Sequence, residues 1–127
     1  MIVRTLNDLI GTERDIDWGN GNSRRFLIEK DNMNFSLTDT ICQAGSRSLL
    51  EYKNHMEACY CIAGEGEIQD TETGSVYPIS PGSMYALDKH DQHYLVAKEE
   101  LRLVCVFQPA LRGDESHKLK EDGSSSY

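Results

Sequence analysis

Residues 54–68 read NHMEACYCIAGEGEI, and three chemistries compete for them. His55 and Glu57 alternate along a short apolar run that carries two cysteines, and a glycine-rich GEGE follows. A phosphate-binding glycine loop leads from a strand into a helix, whose N-terminal amides hold the anion. Here GEGEIQDT continues into another strand-like segment, so Gly64 and Gly66 are expected to serve a hairpin turn. Cys59 and Cys61 lie two apart in a strand and share one face. Structural zinc sites favour C-x₂-C pairs, and no second pair occurs. Both thiols are therefore expected to be small buried core groups. A strand with a carboxylate on its inner side remains.

Outward from that strand the chain is punctuated in the same way. RFLIEKD (25–31), FSLTDTIC (35–42), EACYCIA (57–63), EIQDT (67–71), SVYPI (75–79), SMYAL (83–87), QHYLVA (92–97) and LRLVCVF (101–107) read as strands. Turn signals separate them at intervals of about 8 to 12 residues, which points to an antiparallel sandwich or barrel. One short helix is expected over Thr5–Ile10, with Thr5 as its cap and Asp8 in its first turn. The tail from Gly113, GDESHKLKEDGSSSY, is polar.

Composition narrows the function classes. At 127 residues the chain is one domain, long enough to bury roughly two-thirds of its unfolded surface. Its formal charge is −8, and without a basic stripe nucleic acid is not an expected partner. No apolar run is long enough for a membrane span, and the N-terminus has no secretory h-region. Four cysteines without an export signal suit reduced thiols in a cytoplasmic protein.

The spacing around Glu57 resembles the cupin family of β-barrels, whose first motif runs G-x₅-H-x-H-x₃-E-x₆-G. With Glu57 on the glutamate, Gly45 and Gly64 fall on the two glycines, and Glu51 and Lys53 stand where metal-binding histidines usually do. In the second motif Gly82 matches the last glycine and Tyr85 takes the expected histidine's place, while the proline is Pro81, one residue late. YALDKHDQHY (85–94) reads as two strand ends around an Asp88–Asp91 turn, returning His93 toward Tyr85. Glu57, Tyr85 and His93 would then offer two oxygens and one nitrogen, a variant of the two-His-one-carboxylate site of non-haem iron. The fold class is accordingly all-β, a single cupin jelly-roll barrel over residues 1–127 with one short N-terminal helix.

Within the cupins the chain resembles the L-ectoine synthase family over nearly its whole length. The likeness is densest in YKNHMEACYCIAGEGEI (52–68), PGSMYALDKHDQHYL (81–95) and LRLVCVFQP (101–109), and extends to MIVRTLNDLIGTERD and the LRGDESH tail. The resemblance implies a cytoplasmic enzyme that closes N-γ-acetyl-L-2,4-diaminobutyrate into the cyclic amidine L-ectoine with loss of water. It implies a catalytic Fe(2+), or zinc or another divalent metal, on Glu57, Tyr85 and His93. It implies substrate contacts from Arg25, Thr40, Tyr52, His55, Gly64, Leu87, Phe107, Glu115 and His117. Tyr52, His55 and His117 are its candidates for acid–base catalysis, and residues 113–127 for a lid. The family pattern usually has an amide or imidazole near Thr38 and a tryptophan shortly before Arg25, for which Trp18 is the counterpart. A homodimer is expected, with LRLVCVF as a suitable apolar edge strand. The competing functions are a non-catalytic cupin that binds a small zwitterion, and an iron oxygenase or isomerase on the same barrel.

Overall fold

The computed structural model describes residues 1–116. Two antiparallel sheets face each other. The larger contains, in spatial order, β1 (Asp15–Asp17), β2 (Gly21–Leu27), β3 (Ser36–Cys42), β10 (Leu101–Gln108), β5 (Met56–Ala63) and β8 (Met84–Leu87). The smaller contains β4 (Arg47–Leu50), β9 (His93–Ala97), β6 (Gly66–Asp70) and β7 (Val76–Ile79). β10 shows why such residues pair: Leu101, Leu103, Cys105 and Phe107 point inward and are buried, and the intervening residues point out. Their inward faces meet Leu50, Ile68, Ile79, Leu95 and Ala97 of the smaller sheet in one core.

Several expectations are corrected in detail. The N-terminal helix is a single 3-10 turn, Leu6–Asp8, in which the Asp8 carboxylate accepts the Thr5 amide at 2.7 Å. RFLIEKD is not one strand. β2 starts earlier, at Gly21, and ends at Leu27, because Asp31 folds back to accept the Ile28 amide at 3.0 Å while Arg4 and Arg14 grip its carboxylate. β4 has no counterpart among the expected strands, since Arg47 and Ser48 break its apolar pattern. LRLVCVF is not an edge: β10 lies between β3 and β5, with both of its backbone edges paired.

GEG makes no hairpin either, because β5 and β6 belong to different sheets. Gly64 turns the chain across with φ +85°, and a Cβ there would lie 2.0 Å from the carbonyl oxygen of Glu100. Only glycine tolerates both that conformation and that approach.

Candidate active site

Register places the polar inward residues in rows. Arg25 faces Thr38, Thr38 faces Cys105, Cys105 faces Cys59, and Cys59 faces Tyr85. One band across five strands therefore carries a guanidinium, a hydroxyl, two thiols and a phenol. The adjacent row is Ser36, Phe107, Glu57 and Leu87. On the other side come Ser23, Thr40, Leu103 and Cys61. These rows face His93, which pairs with Leu50 on the smaller sheet.

The expected metal donors neighbour one another in pairs. The Tyr85 and His93 ring centroids are 6.2 Å apart, and Glu57 and Tyr85 line the same small internal void of about 20 Å³. That void has room for about one water-sized particle. Tyr85 also lines a cleft of about 360 Å³, together with Leu87, Asp88 and His93.

The chemistry of these donors fits a divalent cation. His93 donates from Nδ1 to the carbonyl of Asp91 at 2.9 Å, which leaves the lone pair on Nε2, a buried atom with no hydrogen-bond partner among the described residues. Burial lowers the His93 pKa, so the ring is neutral at pH 7. Glu57 Oε1 is likewise buried and unpartnered. Burial pushes the Glu57 carboxyl up to about 8, against hydrogen bonds from Cys59 and Cys105 that pull it down. Burial also raises the Tyr85 phenol, with Cys59 and Glu57 adding to the effect. A carboxylate and a phenolate held this far from water need a neighbouring positive charge, and an oriented imidazole completes the set.

Arg25 marks the other end of the row. It is fully buried, donates from Nη2 to the backbone carbonyl of Glu115, and lies 3.7 Å from the Glu115 carboxylate. That carboxylate accepts the amides of Arg112 and Gly113, both at 2.9 Å, and stands 3.9 Å from His55 Nε2. His55 donates from Nδ1 to the Pro109 carbonyl at 2.9 Å. The residues after β10 are thus folded onto Arg25 and His55. Tyr52 packs edge-on against both His93 and Phe107, with centroids 5.8 and 5.7 Å apart.

Of the substrate set, Arg25, Thr40, Tyr52, His55, Leu87, Phe107 and Glu115 are all buried toward this interior. Gly64 is not among them. It stands beyond the opposite end of β5 from Glu57, about 20 Å along a strand rising ~3.3 Å per residue, and its place is explained by the backbone crossing. His117 lies outside the described residues. Trp18 and Ser23 border the void beside Thr40; alternation alone could have placed Ser23, two residues before Arg25. A further contributor, His90, was hidden in a turn. With φ +55° it donates from Nδ1 to the carbonyls of Tyr52, at 2.7 Å, and His55, at 3.1 Å. It ties the loop before β9 to the loop before β5.

Comparison with known proteins identifies the family. The family model described as ectoine synthase matches residues 1–127. An L-ectoine synthase from Desulfatibacillum aliphaticivorans is 56% identical over 98% of this chain and 95% of its own. Another, from Oceanobacillus iheyensis, is 53% identical over 97% and 94%. The crystal structure of ectoine synthase from P. lautus superposes with a TM-score of 0.86 at 55% identity, covering 89% of this chain and 81% of that one. A cupin 2 conserved barrel domain protein from Salinispora arenicola, at 18% identity and a TM-score of 0.65 over 85% and 88% of the two chains, shares the fold. With a full-length family match on a cupin barrel, this chain belongs to the ectoine synthase family.

Proposed function

We propose that this chain converts N-γ-acetyl-L-2,4-diaminobutyrate into L-ectoine, with a divalent cation, Fe(2+), held by Glu57, Tyr85 and His93. Zinc or another divalent metal would suit the same donors. The observation that carries the proposal is the pair of buried, unpartnered donor atoms, Glu57 Oε1 and His93 Nε2, beside the Tyr85 phenol. When bound, the cation supplies a Lewis acid for the amide oxygen, a contribution of several kcal/mol as that oxygen gains charge.

The reaction is intramolecular. The α-amine attacks the acetamide carbonyl carbon, a C–N bond forms, and the carbonyl oxygen leaves as water. The chain's own task is to hold amine and carbonyl together and keep bulk water out; well-aligned intramolecular reactions reach effective molarities of about 10⁵–10⁸ M. Arg25 offers the substrate carboxylate a two-pronged grip. Glu115, already paired with Arg25, would face the ammonium. Phe107 and Leu87 provide apolar walls, and Thr40 a hydroxyl. Tyr52, His55 and His117 are the groups proposed to accept the ammonium proton and return one to the departing oxygen. Residues 112–115, folded onto Arg25 and His55, would move aside as the substrate enters and close again, as part of the lid proposed over 113–127.

No helix among the described residues is long and apolar enough to cross a membrane; the four free cysteines suit a reducing compartment, and a cytoplasmic setting is proposed. A homodimer is also proposed, with one apolar face in its support. On the outside of the larger sheet, Val106, Ala58 and Ala86 form one row and Val104, Tyr60 and Met84 the next. Tyr60 and Met84 are 49% and 63% exposed. An uncharged apolar face on a chain of net charge −8 suits a second copy turned by a two-fold axis.

Metal-depleted and reconstituted protein, each given N-γ-acetyl-L-2,4-diaminobutyrate and followed by NMR, tests the proposal. Ectoine should form only after reconstitution. Equal turnover in metal-free protein would remove the Lewis acid, and no turnover in either would favour a non-catalytic zwitterion binder.

A further inference from the structure

Two buried nucleophiles take no part in the reaction just described. Cys59 and Cys105 face each other across β5 and β10, 1% and 2% exposed, with their sulfurs 3.2 Å apart. Both approach the Glu57 carboxylate, and one oxygen and the two sulfurs lie within 4.8 Å of one another. Glu57 Oε1, of the same carboxyl, has no hydrogen-bond partner among the described residues. Read along the sequence, these cysteines are core groups 46 positions apart. In the barrel they flank a carboxyl with one unsatisfied oxygen.

We infer that Glu57, Cys59 and Cys105 form a second, thiophilic metal site, which takes a soft d¹⁰ cation such as Zn²⁺ or Cd²⁺. Zinc–thiolate bonds of about 2.3 Å at a tetrahedral angle set the sulfurs about 3.8 Å apart, so the pair needs to open by roughly half an ångström, a small adjustment within a rotamer well. Each thiol surrenders its proton to solvent: two R–SH and M²⁺ give (R–S)₂M and two H⁺, with no change of oxidation state. Tyr85 pairs with Cys59 across β5 and β8, so its hydroxyl would serve as a fourth donor. Tyr85 lines both the outer cleft and the inner void, and so would stand on the entry path.

The two donor sets share Glu57. The void that Glu57, Cys59, Cys105 and Tyr85 line has room for about one water-sized particle, so a soft cation on the thiols and a harder one on Tyr85 and His93 would exclude each other. This last clause rests on the proposed function; the thiolate site itself does not.

The test is a Cd²⁺ titration of metal-free full-length protein, kept reduced with a phosphine and followed by the ultraviolet cadmium–thiolate charge-transfer band. The expected result is a band that saturates near one equivalent per chain. Cys59→Ser or Cys105→Ser should each diminish it and weaken Cd²⁺ binding at least about tenfold. The same band should persist in Cys42→Ser, Cys61→Ser and His93→Ala. ¹¹³Cd NMR of the unaltered protein gives a readout independent of variant folding, with coupling expected to the β-protons of Cys59 and Cys105. No band, a band that survives in the Cys59→Ser/Cys105→Ser double variant, or coupling to other cysteines overturns the site. Preloading with Fe²⁺ should suppress the band. If the band forms undiminished after preloading, the thiolate site stands and the sharing of Glu57 with an iron centre falls.

Discussion

The two faces of the larger sheet make an instructive contrast. Along β5 the inward positions hold Glu57, Cys59 and Cys61, all buried, whereas the outward positions hold Met56, Tyr60 and Ile62, all exposed. A half-buried strand ordinarily shows the reverse, with carboxylates in water and large apolar groups in the core. Inside, the polar row costs desolvation that its own neighbours do not fully offset, as the unpartnered Glu57 and His93 atoms show. Outside, the apolar row leaves surface that water covers poorly. Both inversions call for something the isolated chain does not supply: a charged species within, and another surface without. The other half of the outer face carries charge that its own neighbours pair. There Asp39 is held by Arg24 at 2.7 Å and Arg102 at 2.6 Å, and although burial would raise its pKa, the hydrogen bonds from these two arginines hold it below the usual carboxylate range.

Three measurements would break or sharpen this contrast. The largest effect is expected on the inner face: Glu57→Gln or His93→Ala should lower bound metal and turnover together, on the order of 100-fold or more in rate. Metal analysis showing wild-type iron in both variants would break the inner half. Next, Tyr60→Glu with Met84→Glu should convert a dimer into monomers in sedimentation velocity while leaving metal content alone. A monomeric parent protein would break the outer half.

The smallest effect concerns pH. In metal-free protein the Glu57 carboxyl titrates at about 8, above its ordinary value of 4.5. The folded state therefore binds more protons than the unfolded one between those limits, and stability should fall as pH rises through that window, by up to a few kcal/mol. Denaturant unfolding of the metal-free protein from pH 5 to 8 reads this slope, and Glu57→Gln should flatten it. A slope that persists in the variant would assign it to other groups.

How much of this the sequence disclosed depends on range. The strands around Glu57 and Phe107 were legible because alternation is a local property. So was the proximity of Tyr85 to His93, since a short turn joins their strands. β4 was missed because its pairing with β9 crosses more than 40 positions, and no local pattern reports such a partner. The reach of GEG from one sheet to the other, and the central place of β10, were equally invisible: whether a strand has one neighbour or two is decided by topology, which periodicity does not encode. The cysteines illustrate the same limit. Their burial was foreseen from composition, but their convergence on a carboxyl required the register of β5 against β10. His90 offered no signal at all, because a histidine in a polar turn looks like any exposed residue until its backbone is seen to be left-handed.

The band from Arg25 to Tyr85 has a consequence for the way the protein fails. Its members come from five strands that are far apart in order of synthesis, and each is aligned only through its neighbour's hydrogen-bond ladder. A slip by one position anywhere in that chain of pairings would send a side chain through to the opposite surface and cut the band in two. A half-assembled barrel can therefore hold no half-working centre. Loss of catalysis on heating should coincide with loss of the sheet itself, making activity a faithful gauge of intact architecture.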